Sequence, residues 1–141
     1  MTFFDLLVRT EIHVWNALDA DLASAGAVSL AQWQALRSVR AHDGLARVQD
    51  ISADLSITAG AASKIVDRLE RDGLAERRAH PSDRRSALVV LTDSGITALE
   101  EAQRIVDARL ADLLGDIETG QAEAVLRLTG QRLGSEKVVS A

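Results

Sequence analysis

Cysteine is absent from the 141 residues, and so is tyrosine. Without a thiol there is no disulfide, no thiolate metal site and no cysteine-based redox switch. There is one proline, Pro81, and 9 glycines, too few for a disordered or low-complexity chain. No apolar run is long enough to cross a membrane, so no membrane partner is expected. The opening MTFFDLLVRTEIHVW places Asp5, Arg9 and Glu11 inside its apolar pattern. It also lacks a basic n-region and a small-residue cleavage site, so it does not read as a secretion signal. These absences fit a cytoplasmic protein. No glycine-rich phosphate loop and no catalytic histidine–carboxylate spacing occurs, which speaks against an enzyme. His13, His42 and His80 are far apart and lack metal-ligand spacing. A metal centre is therefore poorly supported, and no cofactor is expected.

Apolar residues make up 47% of the chain, enough for one core in one domain. The net charge of −5 argues at first against nucleic acid. Its distribution argues otherwise. Residues Arg37 to Arg85 carry ten basic against eight acidic residues, whereas the remainder carries six against thirteen. Between Arg77 and Arg85 there are four arginines and one aspartate. What governs binding to nucleic acid is the field of the contacting face, not the total charge.

Helical spacing runs through Phe4, Leu7, Val8, Ile12, Trp15, Leu18 and Leu22. After Gly26, Ser29 and Gln32 form a capping-box pattern ahead of a second stripe, Leu30, Trp33, Leu36 and Val39, which is expected to end at Gly44. Val48, Ile51 and Leu55 predict a short third helix. A fourth is predicted over about residues 59–72, capped by Thr58, closed by Gly73 and apolar at Ala62, Ile65, Val66 and Leu69. LAERRA and SALVVL read as two short strands joined by HPSDRR. Thr92 begins a long helix striped by Ile96, Leu99, Ala102, Val106, Leu110 and Leu113, and Thr119 begins a last one with Ala122, Val125, Leu126 and Leu133. Two short helices and a hairpin in this order form a winged helix-turn-helix within a mainly α protein.

The outward face of the fourth segment holds Gly60, Ser63, Lys64, Asp67, Arg68 and Arg71, with Ala61 also near its start. Small residues at that end let a helix backbone approach DNA, and Ser63, Lys64 and Arg68 reach base edges and phosphates. Asp67 would repel DNA if free, so an ion pair with Lys64 or Arg71 is expected. An ordinary solvated helix face has the same composition, so this segment alone identifies nothing. The turn is more telling. Asp83 stands two residues before Arg85, where a carboxylate can hold a guanidinium for entry into a narrow minor groove. Arg84 and Ser86 then serve flanking phosphates, and Pro81 stiffens the loop entry. The alternative is a charged turn that merely blocks strand-edge pairing. Arg47 is either a phosphate contact or a plain surface charge.

The stretch DRRSALVVLTDSG, with Asp83, Arg85, Leu88, Leu91, Thr92 and Gly95, resembles the D-x-R…L-x-x-L-T-x-x-G pattern of the MarR (multiple antibiotic resistance regulator) family of winged-helix transcription factors. SKIVDRLERDGLAERR, residues 63–78, looks like that family's recognition helix and first wing strand, and SLAQWQALRSV like its second helix. The resemblance implies a homodimer on a pseudo-palindromic double-stranded DNA operator. Residues 1–28 and 92–141 would dimerise, and residues 29–91 would bind DNA. Gly60, Ala61, Ser63, Lys64 and Arg68 would lie in the major groove. The wing, residues 80–86, would bring Asp83, Arg84 and Arg85 to the minor groove. It implies, too, a small aromatic or phenolic effector, for which Arg9, His13, Trp15 and Trp33 are candidates. The two tryptophans, being on helical stripes, fit a core role at least as well. The family's thiol-based oxidation sensing is excluded by the lack of cysteine. A winged-helix protein-interaction module without specific DNA binding and a metal-responsive regulator remain the alternatives.

Overall fold

The computed structural model describes the backbone of residues 1–139 and the side chains of residues 1–134. Its elements are α1 (Phe3–Ser24), α2 (Leu30–Ala41), α3 (Val48–Leu55), α4 (Ala59–Arg71), β1 (Ala75–Ala79), β2 (Ala87–Leu91), α5 (Asp93–Leu114) and α6 (Gly120–Val139). They fall into two compact units, Met1–Arg109 and Leu110–Ala141.

Local chemistry sets the element ends. Thr2 and Ser29 form full capping boxes with Asp5 and Gln32, satisfying orphan amides at the starts of α1 and α2. Helix α2 stops at Ala41, three residues before Gly44. His42 caps it, and Asp43 (φ 51°) and Gly44 (φ 82°) both turn left-handed, so the chain reverses earlier than the glycine alone suggests. Thr58 Oγ1 accepts the Ala61 amide and caps α4. Between α3 and α4 the turn is held by Ser52, whose hydroxyl donates to the Ile57 carbonyl at 2.6 Å.

The first unit builds its core around α2, which packs against α1, α3, α4 and β2. Leu36, Val39, Ile51, Val66, Leu69 and Val89 are fully enclosed there, with Leu22 from α1 and Leu99 and Val106 from α5. Ala62, Val66 and Leu69 supply the buried face of α4. The hairpin is antiparallel, with Ala75 opposite Leu91 and Ala79 opposite Ala87. A bridge from Ala46 to Val89 adds a short third edge and anchors the start of α3 to the hairpin. On α1 the row Phe4, Leu7, Val8 and Ile12 is exposed. In the second unit, Gly115 (φ 55°) ends α5, and Val125, Leu126 and Leu133 of α6 are exposed.

Candidate nucleic-acid interface

Helix α4 is fixed by its buried face, so its other side is set outward by helical geometry. Gly60, Lys64, Asp67 and Arg68 are exposed there, and Ala61 and Ser63 are half-buried. Lys64 and Arg68 make no ion pair among the described residues. Arg71 is occupied by its neighbour Asp72 at 3.0 Å, and Gln32 of α2 donates to the same carboxylate at 3.1 Å. The Arg71 hydrogen bond, then that of Gln32, lowers the Asp72 carboxyl below its ordinary range.

Asp67 is paired with neither Lys64 nor Arg71, contrary to the expectation from helix spacing. Its partner is Arg77 of β1, whose Nη1 lies 2.9 Å from Asp67 Oδ1 and 2.8 Å from Glu70 Oε1. Arg77 Nη2 donates to Ser63 Oγ at 3.4 Å. The reason is access. Asp72 already holds Arg71, while the strand delivers a half-buried guanidinium between the two carboxylates. Burial works against the Arg77 charge, but the hydrogen bonds and attraction of Glu70 and Asp67 outweigh it and raise its basicity.

The wing loop spans residues 80–86 and closes on itself. The His80 amide donates to the Ser86 carbonyl at 3.2 Å, and the Ser82 amide to His80 Nδ1 at 3.1 Å. His80 thus shapes the turn, a role its sequence position did not reveal. Asp83 departs from expectation as well. Its Oδ1 accepts the backbone amide of Arg85 at 3.0 Å and does not hold the guanidinium. A short carboxylate two residues upstream reaches the backbone amide of its own turn first. The Arg84 and Arg85 side chains are exposed and free of ion pairs among the described residues. Arg78, next along β1, is tied to Glu76.

Hydrogen bonds lock the wing to α5. Thr92 Oγ1 donates to the Gly73 carbonyl at 2.6 Å and accepts the Gly95 amide at 3.0 Å. A Cβ at Gly95 would lie 1.9 Å from the Leu74 carbonyl oxygen, so only glycine fits. Arg47 is the N-cap residue of α3, where its amide donates to Asp50 Oδ2 at 2.8 Å, and its side chain makes no ion pair among the described residues.

The four effector candidates are not brought together. Arg9 and His13 line a depression of about 340 Å³ on α1 with Phe4, Asp5, Val8 and Ile12. Trp15 lines a separate one with Glu11, Ile12 and Asn16. Trp33 is 6% exposed and sits in the core, with the Arg37 guanidinium 4.6 Å over its ring. Sequence reading also passed over a cluster between α2 and α3. Ser38 Oγ donates to Asp54 Oδ2 at 2.6 Å, and His42 Nε2 lies 2.9 Å from the same oxygen. The spacing of Ser38 and His42 on one helical face was its visible half. Because the serine hydroxyl points at the carboxylate and not at the imidazole, this is not the arrangement of an activated nucleophile.

A helix-turn-helix running directly into a hairpin with a cationic tip is a winged helix-turn-helix. Residues 28–86 match the model of the MarR family. The chain is 33% identical over 79 residues to the multiple antibiotic resistance protein MarR of Escherichia coli K12, covering 56% of this chain and 54% of that protein. It spans about half the length of the curated relatives it matches. Over nearly the whole fold, the chain is similar to the Staphylococcus aureus MepR–DNA complex, with TM-score 0.78, 25% identity and 95% and 96% of the two chains covered. It is similar also to CouR of Rhodococcus jostii RHA1 bound to p-coumaroyl-CoA, with TM-score 0.75, 25% identity and 92% and 87% covered. The winged helix-turn-helix of residues 28–86 is thus similar to that of the MarR family.

Proposed function

We propose that this chain is a sequence-specific DNA-binding transcriptional regulator, a repressor that acts as a homodimer on a pseudo-palindromic operator. The observation that carries this reading is the pairing of two sets of cations without an ion pair among the described residues, Lys64 and Arg68 on α4 and Arg84 and Arg85 on the wing loop. In this reading α4 enters the major groove, with Gly60 and Ala61 allowing close approach and Ser63, Lys64 and Arg68 making contacts. The wing enters the minor groove, and Arg47 meets a phosphate at the start of α3. Asp83 serves by holding the loop shape, not by touching DNA. The MepR structure, a complex with DNA, supports the partner.

Residues 29–91 act as the DNA-binding part and residues 1–28 and 92–141 as the dimerising parts. The exposed apolar rows of α1 and α6 are the surfaces a second copy would cover. The protein acts by binding, not by catalysis, and works in the cytoplasm, where its DNA is. No helix among the described residues is long and apolar enough to span a membrane. The ligand in CouR, p-coumaroyl-CoA, supports a small effector with an aromatic acyl group. Arg9 and His13 on α1 are its strongest candidate contacts. The effector acts by favouring a dimer whose two α4 helices have the wrong separation for the operator.

A gel shift with the DNA upstream of the chain's own gene, at two salt concentrations, tests the reading. A shift at low salt that weakens steeply as salt rises is expected, because phosphate neutralisation releases counterions. No shift at low salt sinks it.

A further inference from the structure

Of the charges on the outward side and flank of α4, Arg71 and the C-cap residue Asp72 neutralise each other, which leaves two cations, Lys64 and Arg68, an exposed carboxylate, Asp67, and a half-buried one, Glu70, on the flank. Left to itself, this face would be neutral and would offer DNA as much repulsion as attraction. The geometry points to Arg77 as the positioning residue that makes the face usable, an inference that rests on the DNA-binding reading above. Arg77 belongs to β1, yet its guanidinium meets three α4 side chains, Asp67 at 2.9 Å, Glu70 at 2.8 Å and Ser63 at 3.4 Å. Its side chain is only 29% exposed, so it sits behind the face and not on it.

Four consequences follow from that placement. The added charge turns a neutral face into a net cationic one. The carboxylates are committed to the strand side, so Lys64 and Arg68 stay free of them; neither cation has an ion pair among the described residues. And because Arg77 has only donors, Ser63 must accept from it, which leaves the Ser63 hydroxyl proton to be donated to another acceptor, a phosphate or a base edge when DNA is bound. The same bonds fix the angle between α4 and the wing strand, so helix and wing meet DNA as one rigid piece. A lysine could supply the charge but not the fork that spans three partners.

The test is fluorescence anisotropy with the upstream DNA and with a random duplex across a salt series, with thermal melts to verify folding. R77A should weaken upstream binding about 10- to 100-fold, the scale of one or two good contacts. Adding D67N and E70Q to R77A should restore most of that loss, which no purely structural role would do, and R77K should fall between. The D67N/E70Q variant alone, which keeps Arg77 and removes both negative charges, should bind random duplex more tightly than wild type once thermal melts show it folded. It keeps the inference testable if R77A does not fold. Wild-type affinity in R77A, a triple variant as weak as R77A, or a D67N/E70Q variant with unchanged random-duplex affinity would each overturn the inference while leaving DNA binding standing. A wild-type chain that binds no DNA at low salt overturns both.

Discussion

Gly95 is where a single hydrogen atom decides the fold. The Leu74 carbonyl that would collide with a Cβ at 1.9 Å is itself engaged, accepting the Thr92 amide at 3.1 Å. It cannot swing away without breaking the joint between α4, the hairpin and α5. Gly95→Ala should therefore cost about 3 kcal/mol or more, the upper end for overpacking, read as a lower urea midpoint with unchanged slope. A variant within experimental error of wild type would mean that α5 shifts freely. Asp54 makes a pH-dependent contribution of the opposite kind, attractive and titratable. The Ser38 hydrogen bond, then that of His42, holds its carboxyl below the ordinary 3.8, against slight desolvation. A depressed carboxylate stabilises the fold above pH 3.8 and loses that contribution as pH falls through its lower folded value. Asp54→Asn should thus be less stable than wild type at neutral pH, and the gap should close below pH 3.8. Urea midpoints at the two ends of that range measure it. A gap that persists in acid would assign Asp54 a role in packing alone.

At the scale of elements, α4 and the wing divide the proposed work, and their variants should differ in kind. The Arg85 side chain is exposed, and without an ion pair among the described residues, at a thin loop tip whose backbone Asp83 and His80 hold. Arg85→Ala should weaken upstream binding by about 1–3 kcal/mol with the melting temperature unchanged. Lys64→Ala, if Lys64 meets phosphate, should weaken upstream and random DNA alike and flatten the salt dependence by about one charge. Equal affinities of wild type and Arg85→Ala would place the wing outside the groove. The elements themselves were legible in the sequence because each depends on near neighbours. The apolar spacing of Ala62, Val66 and Leu69, the caps at Ser29 and Thr58, and Thr92 before α5 are all local signals. The strand-to-helix bonds of Arg77, the Ala46–Val89 bridge and the contact of Asp54 with Ser38 and His42 join residues from different elements, so no spacing rule could announce them. The misjudged partner of Asp67 has that cause, whereas Asp83 was misjudged because its carboxylate takes the nearby Arg85 amide and not the guanidinium. Helix spacing gave Asp67 its nearest cations along the chain, and the fold supplied a better one across space.

For the whole molecule, the governing fact is apolar surface without cover. Phe4, Leu7, Val8 and Ile12 of α1 form a continuous exposed row, and Val125, Leu126 and Leu133 of α6 are exposed as well. Water-exposed apolar rows of this length mark association surfaces in soluble proteins. The proposed operator mode demands the same thing independently, since two α4 helices can address half-sites about one helical turn apart only if a dimer fixes their separation. Ile12 is the informative position. It is 47% exposed in the single chain, so a charge there costs the lone fold little. Enclosed by a second copy, the same charge would be unpaired and desolvated, a penalty of about 3–5 kcal/mol. If the proposed dimer forms through this row, Ile12→Glu should sediment as a monomer at concentrations where wild type sediments as a dimer, with the far-ultraviolet circular dichroism of the wild type. Its upstream DNA affinity should fall towards that of a single half-site, because the second α4 no longer arrives with the first. If the variant stays dimeric, the α1 row lies outside the interface. A monomeric variant that keeps full affinity would show that one winged unit suffices, and the separation of the two α4 helices could not then be what an effector controls.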